Sequence, residues 1–170
     1  MKKLPLSFFA RPALIVAKEL IGTYIAVSRN GTVERFMITE TEAYIGPQDL
    51  ACHSSKGRTK RTEVMYQSPG TIYIYLIYGM YYMFNIVTDE IDHPAAVLVR
   101  GVEGLNGPGK LTKALGIDKR FNAKMLGKDV GIWIEQRESS PTLKIVRTPR
   151  IGVSYAGPIW AEKKYRFLLK

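Results

Sequence analysis

Cysteine is nearly missing from this chain: 170 residues contain one, Cys52. No intramolecular disulfide can form, and zinc frameworks built on cysteine pairs, including the Pro-Cys-x-x-Cys of zinc deaminases, are excluded. A reducing cytoplasm is the expected compartment. Histidine is almost as scarce, and His53 has no cysteine or histidine partner at ligand spacing, so no metal site is expected. Acidic residues are also short, 15 Asp and Glu against 25 Lys and Arg, for a net charge of +10. Such a surplus attracts polyanions, nucleic acid above all, with an anionic membrane surface or an acidic partner as alternatives. Long apolar runs are absent too. The longest uncharged stretch, Ile72 to Val87, falls short of the ~20 residues of a membrane helix and contains Gly79 and Asn85. At the start, Pro5 and Arg11-Pro12 interrupt MKKLPLSFFA before a signal-peptide core can form, so it reads as mature protein.

What remains is an ordinary globular composition with no break, repeat or low-complexity stretch, hence a single domain over residues 1–170. Helical spacing of Leu14, Ile15, Ala17 and Leu20 predicts a short helix over Pro12 to Ile21, stopped by Gly22. Tyr24 to Val27 and Val33 to Tyr44 flank Asn30-Gly31, a type I′ hairpin signal. Gly70 to Ile77 and Tyr82 to Val87 predict a second hairpin with Tyr78-Gly79-Met80-Tyr81 at its tip. Further strands are expected at Ala95 to Val102, Gly131 to Glu135, Arg150 to Ser154 and Tyr165 to Leu169, with a helix at Lys110 to Leu115. Hairpins and scattered helices without βαβ alternation indicate an α+β fold with a mainly antiparallel sheet.

Three constellations carry chemistry. In FMITETEAYIGPQDLACH a strand runs into acids, and period-two alternation puts Phe36, Ile38, Glu40, Glu42 and Tyr44 on one face. If that face is buried, a carboxyl there is poised as a general base; if it is an edge, the glutamates are solvated. In TIYIYLIYGMYYMFN the tyrosines crowd a hairpin whose tip, Tyr78 and Met80, is no place for core residues. An apolar wedge on a basic protein suits insertion between base steps, though a protein interface would look alike. Lys56, Arg58, Lys60 and Arg61 follow His53 in a Gly/Ser loop, where they either meet phosphates or are solvated. Gly104 to Lys110 matches seven positions of a phosphate-binding Walker A loop, but Leu111 stands where Ser or Thr should meet Mg²⁺ and Pro108 removes an amide.

Together ETEAYIGPQDLACHS, GTIYIYLIYGMYYMFNIV, AAVLVR, NGPGKLTKALGI and IGVSYAG resemble the 3-methyladenine (alkyladenine) DNA glycosylase family, from about Leu4 to Lys170. The resemblance implies one α+β domain with a curved antiparallel sheet, surrounding helices and a protruding β-hairpin. It also implies hydrolysis of the N-glycosidic bond of a flipped, damaged purine in double-stranded DNA, without metal or nucleotide cofactor. Glu42 looks like the base that activates water, helped by Arg100. Tyr78 resembles the residue that fills the gap left in the duplex, with Met80 supporting it. Tyr44, His53 and Tyr75 look like the aromatic walls around the base, and Asn85 like the residue that discourages guanine. Asn106 and Gly107 align with a backbone segment near the pocket. Only five residues separate Arg100 from Asn106, where many members carry an insertion, and a long N-terminal extension is lacking. A monomer that binds DNA and no membrane is expected. The alternative is a noncatalytic basic nucleic-acid-binding module.

Overall fold

Asn30 and Gly31 adopt positive φ angles of 49° and 78° and join β1 (Tyr24–Arg29) to β2 (Thr32–Tyr44) in a two-residue turn, as the Asn-Gly signal predicts. In the computed structural model, which describes residues 1–138 and 142–170, β2 is the hub of the sheet. Its first half pairs with β1, and its second half lies between β5 (Ala95–Val102) and a late strand, β9 (Arg166–Leu169). Beyond β5 come β4 (Tyr81–Thr88) and β3 (Ile72–Ile77); beyond β1 comes β7 (Ile132–Glu135). Two short strands, β6 (Leu105–Asn106) and β8 (Ile145–Thr148), pair with β5 and β9. Every named pairing is antiparallel, and the fold is the expected α+β one with a curved sheet.

One face of the sheet is closed by α1 (Ala13–Leu20), whose Val16, Ala17 and Leu20 are buried against Ile38, Ala43, Val97 and Val99. Each fully buried aliphatic side chain contributes about 1.5–3 kcal/mol, so this layer holds the sheet rigid beneath the opposite face. The Thr41 hydroxyl donates to the Ala17 carbonyl at 2.8 Å, fixing β2 to the helix at the level of the two glutamates. The second helix, α2 (Pro108–Leu115), starts on a proline, which lacks only an N–H that no helix start can use, and ends at Gly116 in the left-handed region. A short α3 (Gly157–Ala161) follows later.

Two expectations are corrected. Phe36 and Ile38 do not share a face with Glu40, Glu42 and Tyr44. They pack into the α1-side core with Thr41 and Ala43, because the β2–β5 register shifts between Ile38 and Glu40 and again between Glu40 and Thr41. Such bulges reset the alternation. Arg150 to Ser154 is not a strand: Arg150 is drawn into the interior, Gly152 has a φ of +75°, and Ser154–Ala156 is a 3₁₀ turn. The strand lies just before it, at β8, a half-exposed edge of four residues, Ile-Val-Arg-Thr, too short to carry a clear alternation. Gly104 to Lys110, already short of a Walker A loop in sequence, does not form one. Leu105 and Asn106 turn back onto β5, and the Gly107 amide is spent on the Arg100 carbonyl.

Candidate active site

The bulges turn Glu40, Glu42 and Arg100 towards the face opposite α1. The register runs from Glu40 opposite Gly101 to Thr41 opposite Val99, leaving Arg100 without a ladder partner and free to lean across β2. Its Nε donates to Glu40 Oε1 at 2.9 Å and lies 3.5 Å from Glu42 Oε1. Glu42 itself is fully buried. Its Oε1 accepts the backbone N–H of Ile151 at 2.8 Å, and its Oε2 accepts the Tyr44 hydroxyl at 2.8 Å. Burial pushes the carboxyl above its ordinary pKa and Glu40 adds to this; Arg100, the Ile151 amide and the Tyr44 hydroxyl pull the other way. The result is a carboxylate more basic than a solvated one.

Ile151 reaches Glu42 because Arg150 is anchored. The Arg150 guanidinium is fully buried, donates to both oxygens of the equally buried Asp49 and to the Ala43 carbonyl, and lies 4.8 Å from the centre of the Tyr44 ring. Tyr44 is therefore held between Arg150 on its face and Glu42 at its hydroxyl.

Tyr44, the hydrogen-bond partner of Glu42, is one of several aromatic rings that wall a cavity. Tyr44, His53, Tyr73, Tyr75 and Asn85 line an inner cavity of about 30 Å³, which shares Tyr44, His53, Tyr75 and Tyr155 with a groove of about 750 Å³. His53 meets Tyr75 edge-on at 4.6 Å and its Nδ1 is 3.0 Å from the Tyr73 hydroxyl. Burial, with Arg61 and Lys56 nearby, pushes the imidazole pKa down to about 4, so it is neutral at pH 7. A histidine lowered on folding contributes stability that is present above its unfolded value and is lost as pH falls through the folded one. The melting temperature should therefore drop between about pH 6.5 and pH 4 by a further roughly 6–12 °C in wild type than in His53→Gln. Parallel melting curves for the two proteins in scanning calorimetry would refute that. Asn85 is buried and donates its amide to the Tyr73 and Met83 carbonyls at 3.1 and 3.2 Å, which fixes its orientation in the wall.

The groove leads from the cavity to the β3–β4 hairpin. Tyr78 and Met80 are 82% and 65% exposed at its tip. The Met80 amide donates to the Ile77 carbonyl, and Tyr78 and Gly79 have φ of 52° and 69°, a type I′ turn with a bulky side chain in the left-handed region. A tyrosine there costs about 1–2 kcal/mol relative to glycine. Tyr81 packs so closely on α2 that a Cβ at Gly109 would lie 2.6 Å from its ring. Asn106, Gly107, Lys56 and Arg61 line the groove, and Arg61 lies 5.2 Å from the centre of the Tyr75 ring. Arg58 instead pairs with Glu63 and Asp92, and Lys60 is exposed outside the groove lining. Sequence reasoning missed Asp49, and also Ile151, Arg150 and Arg166, which reach this end of β2 through contacts across more than 100 residues. IGVSYAG was the signal for Ile151, as one of the resembling segments.

A buried, donor-capped carboxylate thus stands behind an aromatic pocket, from which a groove lined by Lys56 and Arg61 leads to an exposed hairpin. Residues 7–105 and 103–170 match the methylpurine-DNA glycosylase family model, and the chain belongs to that family. A Myxococcus xanthus protein is 48% identical over all of this chain and 91% of its own length, and one from Legionella pneumophila (strain Corby) is 45% identical over all of this chain and 96% of its own. One from Wolbachia pipientis wMel is 44% identical over 96% of this chain and 89% of its own. All three bear the name "Putative 3-methyladenine DNA glycosylase". The expected resemblance is thus shown, and with it DNA glycosylase activity and a DNA substrate.

Proposed function

We propose that this enzyme, acting as a monomer, flips an alkylated or deaminated purine from duplex DNA and hydrolyses its N-glycosidic bond with water activated by Glu42. The observation that carries this reading is Glu42: fully buried, raised in pKa, hydrogen-bonded by the Ile151 amide and the Tyr44 hydroxyl, and 3.5 Å from the Arg100 guanidinium beside the aromatic pocket. A module that only binds nucleic acid has no use for such a group, since burying a carboxylate is costly. Water attacks C1′ and gives its proton to Glu42, the C1′–N bond breaks, and its electron pair leaves with the base. A cationic alkylpurine then departs neutral. Arg100 orients Glu42 and the water.

Tyr44, His53 and Tyr75 stack around the extruded base. Neutral His53 suits a cationic purine, which imidazolium would repel. Asn85, with its N–H groups spent on backbone, excludes a guanine amine by occupying its space. Asn106 and Gly107 flank the base, while Lys56, Lys60 and Arg61 meet phosphates and Arg58, read from the sequence as a fourth such cation, is held by Glu63 and Asp92. Tyr78 fills the vacated stack, supported by Met80. Unstacking costs a few kcal/mol, and the wedge offsets part of it.

The test is single-turnover release of 3-methyladenine and hypoxanthine from duplex DNA under chelation. Release without strand cleavage or a borohydride-trapped adduct is expected, since the inner cavity is lined by no lysine among the described residues. Absence of release would leave the binding module standing. Tyr78→Asn should relieve the left-handed strain, raising stability by about 1 kcal/mol, and yet weaken preference for lesion over intact DNA. Unchanged discrimination would remove Tyr78 from the wedge role.

A further inference from the structure

Four charged side chains, Glu40, Glu42, Arg100 and Arg166, meet behind the pocket, and of the four Arg100 alone lines the groove. Glu40 Oε1 accepts from two guanidiniums at once, Arg100 Nε at 2.9 Å and Arg166 Nε at 2.6 Å. Arg166 comes from β9, where it sits in register opposite Glu42. It also donates to the Thr148 hydroxyl of β8 at 3.3 Å. Room for the Glu40 carboxyl is made by Gly101, where a Cβ would approach the Glu40 Cβ to 3.2 Å and Oε2 to 3.4 Å. Arg100 is nearer to Glu40 than to Glu42, by 2.9 against 3.5 Å.

We propose that Glu40 is a positioning residue: by drawing Arg100 and Arg166 onto one oxygen, it keeps both from pairing fully with Glu42, which remains a competent base. The inference rests on Glu42 being the base. The cluster contains two guanidiniums and two carboxylates and is neutral when both acids are ionised. Without Glu40, two cations would share Glu42 alone, and a carboxylate so paired gives up its basicity. Other groups facing Glu42 are the hydroxyls of Tyr44, Tyr75 and Tyr155 and the Arg150 guanidinium, itself committed to Asp49. Glu40 and Arg166 are therefore the pair whose removal changes the balance at Arg100 without touching the pocket walls.

The experiment is the pH dependence of single-turnover excision for wild type, Glu40→Gln, Arg166→Gln and Glu42→Gln, with folding checked by thermal melting. Glu40→Gln should move the acid limb down by about one pH unit and lower the plateau roughly threefold to tenfold. Arg166→Gln, which removes a cation and leaves Arg100 to Glu40, should move the limb up. Opposite shifts support the proposal, and either variant alone, if the other fails to fold, reads its sign. Lowered plateaus with an unmoved limb, while Glu42→Gln is inactive, overturn this inference alone and leave Glu40 structural. An active Glu42→Gln overturns the assignment of the base and this inference with it.

Discussion

Glu42→Gln is expected to lower single-turnover base release by about 10²–10⁴-fold while leaving binding of lesion DNA in place and the melting temperature no lower than wild type. The two halves of this result come from the same burial. An amide cannot take a proton from water, so the activated nucleophile is lost. For stability, the folded pKa of Glu42 lies above its unfolded value, so the contribution of this group is fully present in acid and is lost as pH rises through the folded pKa. Above the unfolded pKa the group is thus a net cost to the fold. Glutamine removes it, because the Ile151 N–H still finds the amide oxygen and the Tyr44 hydroxyl can rotate to accept from the amide N–H₂. The gain should shrink as pH falls. Undiminished release by the variant would falsify the role of Glu42.

Arg150→Met is expected to cost about 3–5 kcal/mol, or roughly 6–20 °C in melting temperature for a chain of this size. Asp49 would be left buried with only the Ile45 and Ala51 amides, at 3.3 and 3.1 Å, in place of a guanidinium on both oxygens. The loop that presents the Ile151 N–H would lose its anchor, so base release should fall at temperatures where the variant is still folded. Adding Asp49→Leu removes the orphaned charge and should recover part of the stability, since a buried pair is worth less than the penalty of breaking it. Strictly additive losses in the double-mutant cycle would show that the pair is not coupled.

How much of the site was legible depends on how local its causes are. Asn30-Gly31 and the hairpin tip at Tyr78 are both legible in adjacent residues, although only the first takes its left-handed angles without strain. Pro108 at a helix start and Gly116 at its end likewise need no distant partner. The face of β2 was not legible, because alternation carries no mark of a bulge, and the bulge reverses which side Phe36 and Ile38 take relative to Glu42. Arg58 shows the same limit in another form. It reads as one of four loop cations, but Glu63 and Asp92 occupy its guanidinium, and Asp92 is 34 residues away.

The sequence by itself determined the class of fold, the absence of disulfide chemistry, the attraction to polyanions, and the residues around which a purine site can be built. These follow from composition, spacing and turn chemistry, which act over a few residues or over the whole chain at once. The tertiary structure alone decided that Glu42 is buried and capped, that His53 is neutral, and that Glu40 and Arg166 stand behind Arg100. Each of those depends on desolvation and on charges brought together from distant strands, and the strength of both is set by distance in space.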